Sequence, residues 1–157
     1  MKRNVAILLA EGFEEGEVVV VADILRRLYV PVETLACAQD GLEVLSYHDM
    51  AIRADSRLTA RSEETYGVVM MPGGPRGARA LGADAPTVDF VRRHLEAGSL
   101  ICPFCSAGAH VMAANGLLGR RRYTCSGDNH LQYADGEYVD AKLVRDGNIL
   151  TGKGLGV

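Results

Sequence analysis

Residues Val5–Leu9 are five consecutive apolar side chains with no polar position among them. A strand with one wet face alternates polar and apolar residues, so an unbroken apolar run belongs to a strand covered on both faces. Val68–Met71 and residues 100–104 repeat the pattern. Gly12 closes the first run, and over residues 15–29 the period changes: Val18, Val21, Ala22, Leu25 and Leu28 recur at spacings of three and four, as on one helix face. Glu14, Glu15 and Glu17 stand near the start of that helix, where its dipole favours carboxylates. Pro31 follows, and residues 32–37 predict a second strand. Asp40-Gly41 is a turn signal, with short strands expected at 42–45 and 50–52.

Pro86 opens an amphipathic helix that reaches Gly98, and residues 106–114, small and apolar, predict a buried helix closed by Gly116. Weak strands are expected at 143–144 and 149–150. Strands alternating with helices predict an α/β fold, a mostly parallel sheet with helices on both faces, in a single domain over residues 1–157. Ligand sites in such sheets form beyond the carboxyl ends of the strands. Three unusual segments end there: the turn at 12–17, Pro72-Gly73-Gly74, and Cys105-Ser106-Ala107-Gly108.

Composition narrows the function. The chain is 48% apolar with a net charge of −3, enough for a core and weakly set against a nucleic-acid partner. Arg120, Arg121 and Arg122 form a short basic run that reads as a solvated loop. The apolar stretch after Lys2 and Arg3 breaks at Glu11 and Gly12, too early for a secretory signal, and nothing approaches a membrane span. A cytoplasmic location is therefore expected. In that setting four cysteines suggest thiol chemistry or apolar packing before disulfides.

Cys105 follows a strand and precedes a run of small residues, Ser106, Ala107, Gly108 and Ala109, that permits the sharp turn of a nucleophile elbow. A thiolate is favoured near a helix N-terminus. The N–H groups of Gly74 and Ser106 can hold an oxyanion in the same space. Burial as a small apolar residue is the competing reading. One of Glu14, Glu15 and Glu17 can turn inward to share a proton with the thiol, and the residues alone leave open which. Cys102 and Cys105 have Cys-x-x-Cys spacing, but Cys102 falls inside a strand, which holds the two sulfurs apart. Cys37 and Cys125 read as buried or strand-end residues. No cysteine–histidine set has zinc spacing, so no metal is expected.

The run from Val5 to Glu17, read with Asp23-Ile24-Leu25-Arg26-Arg27, Val69-Met70-Met71-Pro72-Gly73-Gly74 and Asp146-Gly147-Asn148-Ile149-Leu150-Thr151-Gly152, resembles the ThiJ/PfpI superfamily, and within it the parkinsonism-associated deglycase branch. The resemblance spans essentially the whole chain. It implies a flavodoxin-like three-layer sandwich and a homodimer. It makes Cys105 the reactive, easily oxidised cysteine, Glu17 its acid partner, and the amides of Gly74 and Ser106 the oxyanion donors. It implies cofactor-free, glyoxalase- or deglycase-like action on small reactive aldehydes in a stress response, with a thiolate adding to the aldehyde and an adjacent acid moving the proton. A non-enzymatic oxidative-stress sensor or redox-regulated chaperone uses the same cysteine.

Three positions depart from the family pattern. Ser126 stands where a histidine is frequent, in Tyr123-Thr124-Cys125-Ser126-Gly127, leaving His110 or His130 as the remaining sources of a base and making peptidase activity unexpected. His48 stands where the branch has an arginine near a dimer-side pocket; Ser126, His48 and His110 are thus the accessory candidates. The sequence ends at Gly154-Leu155-Gly156-Val157, where the family opens a final helix over one sheet face, so an uncovered apolar patch is expected.

Overall fold

The computed structural model describes residues 4–155, leaving Met1, Lys2, Arg3, Gly156 and Val157 outside. Strand β1 (Val5–Leu9) leads through a turn with Gly12 at φ +84° into helix α1 (Glu15–Arg27). Glu14 caps α1 by accepting from the Gly16 amide, and Arg26 and Arg27 complement the dipole in the last turn. Tyr29, left-handed at φ +56°, stops the helix before β2 (Val32–Ala36). A hairpin of β3 (Glu43–Leu45) and β4 (Ala51–Arg53) follows, then the two-residue β5 (Ser56–Arg57). Strand β6 (Val68–Met71) ends at Pro72, and Gly74 starts helix α2 (Pro75–Ala83).

Asp84 ends α2 and caps α3 (Ala85–Glu96), accepting from the Thr87 amide at 3.1 Å. Strand β7 (Leu100–Pro103) runs into Cys105. The buried helix expected at 106–114 is a π-helical turn over Gly108–Met112 followed by a 3₁₀ turn over Ala113–Asn115, closed by Gly116 in the left-handed region. Strands β8 (Arg122–Tyr123) and β9 (Glu137–Tyr138) form a small parallel pair. A hairpin of β10 (Leu143–Asp146) and β11 (Ile149–Gly152) completes the described elements, turning at Gly147.

The main sheet has the order β10-β11-β7-β6-β1-β2-β5, parallel except for the β10–β11 edge. From β2 to β11 this is the flavodoxin-like arrangement. The period of two in β1 divides its side chains between two cores. Val5, Ile7 and Leu9 pack with Val18 and Ala22 of α1. Ala6 and Leu8 face the other way, with Leu81 of α2, Val91 of α3 and Val111 of the π turn. Helices therefore cover both faces, as the unbroken apolar runs require. On the α1 side, Leu100, Phe104 and Leu150 are only partly covered, where an exposed apolar strip is expected. The outer surface of α1 is also apolar: Val19, Val20, Ile24 and Leu28 are exposed. No helix among the described residues is long and apolar enough to cross a membrane.

His94 fastens α3 to the loop before β6. Its Nε2 accepts from the Tyr66 amide at 3.0 Å while Nδ1 donates to the Phe90 carbonyl at 2.8 Å, which fixes one neutral tautomer. Burial, with a smaller contribution from Arg93, pulls this imidazole below its ordinary value of 6.5. Below that pH the unfolded chain binds a proton that the folded protein resists, so this contribution to stability is complete above about pH 6.5 and is lost as pH falls. Denaturant titrations across that range should show stability declining toward acid. His94→Gln should flatten the decline by up to about 1.4 kcal/mol per pH unit, the limit for one proton.

Candidate functional site

Cys105 is reached from β7 by one residue, and its backbone sits at φ +51°. A side chain in the left-handed region costs about 1–2 kcal/mol, so the turn has to be held from outside. The Cys105 amide donates to the Gly152 carbonyl at 2.8 Å, the Ser126 amide donates to the Cys105 carbonyl at 3.1 Å, and the Ala107 amide donates back to Phe104 at 2.9 Å. The result is the elbow that the small residues after Cys105 predict. The cysteine is half-buried, while Cys37, Cys102 and Cys125 are buried and all four are free.

The three N-terminal glutamates have separate fates, because successive positions on a helix point about 100° apart. Glu14 caps α1. Glu15 meets His48, whose Nδ1 lies 2.5 Å from its Oε1. Glu17 turns inward and is 3% exposed. Its Oε2 accepts from the Gly73 amide at 2.6 Å. Burial raises the Glu17 carboxyl above its ordinary value, and repulsion from Glu14 adds to this. Amide donation from Gly73 and Leu155 and the neighbouring Cys105 thiol oppose the rise without cancelling it. Glu17 is thus a buried acid that holds its proton unusually well beside a sulfur.

Two glycines make this approach possible. A Cβ on Gly73 would lie 2.8 Å from the Cys105 sulfur and 3.2 Å from Glu17 Oε2. One on Gly154, at φ +107°, would lie 2.6 Å from Glu17 Oε1 and 3.0 Å from the Cys105 Cβ. Gly154 and Leu155 are site residues that the sequence reading missed. The sequence reading named this segment only as the run from which the family opens a covering helix; in the structure Gly154 lies against Glu17 and Cys105.

Gly74 caps α2 and Ser106 follows the elbow; the Ser106 hydroxyl donates to the Gly74 carbonyl at 3.4 Å, tying the two segments together. Neither amide donates a hydrogen bond among the described residues, which leaves both available to an oxyanion.

The accessory candidates are placed differently. Ser126 touches the elbow through its backbone, while Asn129 donates to its carbonyl at 2.9 Å and to its hydroxyl at 3.4 Å. His48 is a surface residue paired with Glu15. His110 is buried, its Nδ1 2.9 Å from the Tyr133 hydroxyl, and it borders a cavity of about 280 Å³ with Arg79 and Gly82. His130 stacks on Tyr138 at 3.6 Å. None of these imidazoles hydrogen-bonds Cys105 or Glu17 among the described residues; His48 and His110 are held by other side chains, and the buried Nδ1 of His130 has no hydrogen-bond partner. Ligand atoms of Glu14, Glu15 and His48 lie within 4.8 Å of one another, a set that can offer three donors to a cation, although Glu15 and His48 already satisfy each other.

Comparison with known proteins places the fold and the family. The chain matches the DJ-1/PfpI family over residues 3–157. It is 33% identical to the protein dj-1beta of Drosophila melanogaster, across 99% of this chain and 83% of that protein. It is 30% identical to the Parkinson disease protein 7 homolog of Danio rerio, across 98% of this chain and 82% of that one. The crystal structure of a cysteine-to-alanine mutant of a DJ-1 superfamily protein from Salmonella typhimurium superposes with a TM-score of 0.95 at 52% identity, covering 98% of this chain and 83% of that one. Matched by the family model along residues 3–157 and at least 30% identical to relatives it covers by more than four fifths, the chain belongs to the DJ-1/PfpI family.

Proposed function

We propose that this protein acts on small reactive aldehydes such as methylglyoxal, with Cys105 as nucleophile and Glu17 as general acid and base. The observation that carries this reading is the buried, proton-retaining Glu17 carboxyl beside a cysteine held in left-handed backbone. Cys105 sulfur adds to the aldehyde carbon, and the oxygen takes up the developing charge in front of the Gly74 and Ser106 amides. Glu17 gives its proton to that oxygen, completing the hemithioacetal, and as a carboxylate it then takes the proton from the hemithioacetal carbon and returns it to the neighbouring carbonyl carbon by way of an enediol, leaving a thioester. Water cleaves the thioester and releases the hydroxy acid and the free thiol, so no cofactor is consumed. Gly73 and Gly154 allow the acid to approach the sulfur closely enough for these transfers.

The same pair supports a second reading, oxidation sensing, in which the protonated Glu17 donates to an oxidised Cys105 sulfur. Incubation with methylglyoxal and quantification of the hydroxy acid separates the two. The enzyme reading expects turnover that Cys105→Ala abolishes; absence of turnover in the unsubstituted protein refutes it.

Glu17→Gln should retain the fold but slow iodoacetamide alkylation of Cys105 at neutral pH by about tenfold, because a hydrogen bond to a charged group is worth about 1.5–3 kcal/mol. An unchanged alkylation rate would remove Glu17 from the site. We also propose a homodimer through the exposed apolar face of α1 and the neighbouring hairpin residues Tyr47 and Met50. Sedimentation velocity should report twice the chain mass, and Val20→Glu should shift it to the monomer.

A further inference from the structure

Residues 152–155 form a strap along one side of the thiol. The Gly152 carbonyl accepts from the Cys105 amide at 2.8 Å and so helps to hold the left-handed elbow. Gly154 is the wall of the site: a Cβ there would lie 2.6 Å from Glu17 Oε1 and 3.3 Å from the Cys105 sulfur. The Leu155 amide donates to the Glu17 carboxyl. Its side chain rests on the first turn of α1, where a Cβ on Gly16 would meet Leu155 Cδ1 at 2.7 Å. Lys153 reaches elsewhere. Its ammonium pairs with Asp140, in the segment between β9 and β10, and its amide donates to the Lys142 carbonyl at 3.0 Å. Tyr138 supports the same ammonium.

Glycine restrains the backbone least. With Gly152 and Gly154 on either side of Lys153, the position of the wall depends on what holds the residue between them. The backbone bond to Lys142 fixes one point and the side-chain pair fixes a second. Lys153 is mostly covered, while Asp140 stands in solvent. Hydrogen bonding to Asp140 holds the ammonium above its ordinary value of 10.5, and the same bond holds Asp140 below 3.8, so both partners are charged across the neutral range. An ion pair with one partner in water is screened by salt, whereas the backbone bonds beside it are not.

We propose that Lys153 is a positioning residue for the chemistry at Cys105: its ion pair with Asp140 clamps the strap, keeping Gly154 against the sulfur and the acid. This role rests on Cys105 being the reacting thiol of the function proposed above. Lys153 acts through its neighbours. The Gly154 wall limits what can approach the sulfur, and the Leu155 amide holds Glu17 in place. Release of the clamp opens the sulfur to larger reagents and costs the acid a partner, so access rises while productive proton transfer falls.

The test compares the full chain with Lys153→Met and Lys153→Arg. It reads the alkylation rate of Cys105 by mass spectrometry, with iodoacetamide and with the bulkier N-phenylmaleimide. In the unsubstituted protein the ratio of bulky to small reagent should rise about threefold to fivefold as salt goes from about 0.01 M to about 1 M, across which the screening length falls from about 30 Å to about 3 Å. Lys153→Met should show the raised ratio at every salt concentration. Lys153→Arg should restore both the low ratio and its salt dependence. Asp140→Ala, at an exposed position, should behave as Lys153→Met and decides the question should that variant not fold. An unchanged ratio in the folded variants overturns the clamp, and so does an equal salt response with and without the pair. Methylglyoxal turnover is read in parallel, where Lys153→Met should lower kcat without raising KM; a raised KM at unchanged kcat overturns the positioning role. A shifted ratio with no turnover in any of the proteins sustains the clamp and refutes the aldehyde reading. A Cys105 that neither reagent alkylates overturns both.

Discussion

The hydrogen bond from the Gly73 amide to the Glu17 carboxyl, at 2.6 Å, joins the first crossover helix to the end of a central strand. It is made out of contact with water, where an ionised carboxylate costs several kcal/mol unless it is compensated. Two backbone amides and a neighbouring sulfur provide partial compensation, and retention of the proton provides the rest. The geometry of the thiol follows from that compromise. Gly73 has to present its amide and cannot carry a side chain, so the sulfur and the acid share one small space. The tail after β11 closes the same space from the other side, which makes a hairpin far along the chain part of the site built on its first helix.

Much of the architecture was legible because it rests on period. The unbroken runs at Val5–Leu9 and Val68–Met71 appear as strands with those bounds, and the three-and-four spacing from Val18 to Leu25 lies on α1. Helix α2 was not legible. It is short, two of its nine residues are glycine, and only Ala78 and Leu81 supply its buried apolar side chains. Strands β5, β8 and β9 are two residues long and carry no period at all. At the site, small residues after Cys105 were enough to anticipate the elbow. Choosing Glu17 from three glutamates needed the family resemblance, since all three are equally acidic in sequence and only the rotation of α1 tells them apart. The contribution of Gly154 and Leu155 depended on the fold of the tail, which no local pattern encodes.

The histidines sharpen the chemical picture. His94 latches α3, His110 meets Tyr133, His130 stacks on Tyr138 and His48 pairs with Glu15 at the surface. Among the described residues none of these imidazoles hydrogen-bonds Cys105 or Glu17, so in the function proposed above the proton transfers at the sulfur fall to the carboxyl. A carboxylic acid that is hard to ionise suits proton shuttling between adjacent carbons of a small substrate better than it suits activation of water for peptide cleavage.

The left-handed backbone at Cys105 has an evolutionary corollary. Glycine adopts that conformation without penalty, so the position is one where folding and chemistry favour different amino acids. In the function proposed above, keeping a thiol there exchanges robustness for reactivity. A lineage released from that demand would drift toward glycine at this position while its architecture persisted, so the identity of this single residue offers a simple marker for telling working descendants of the fold from retired ones.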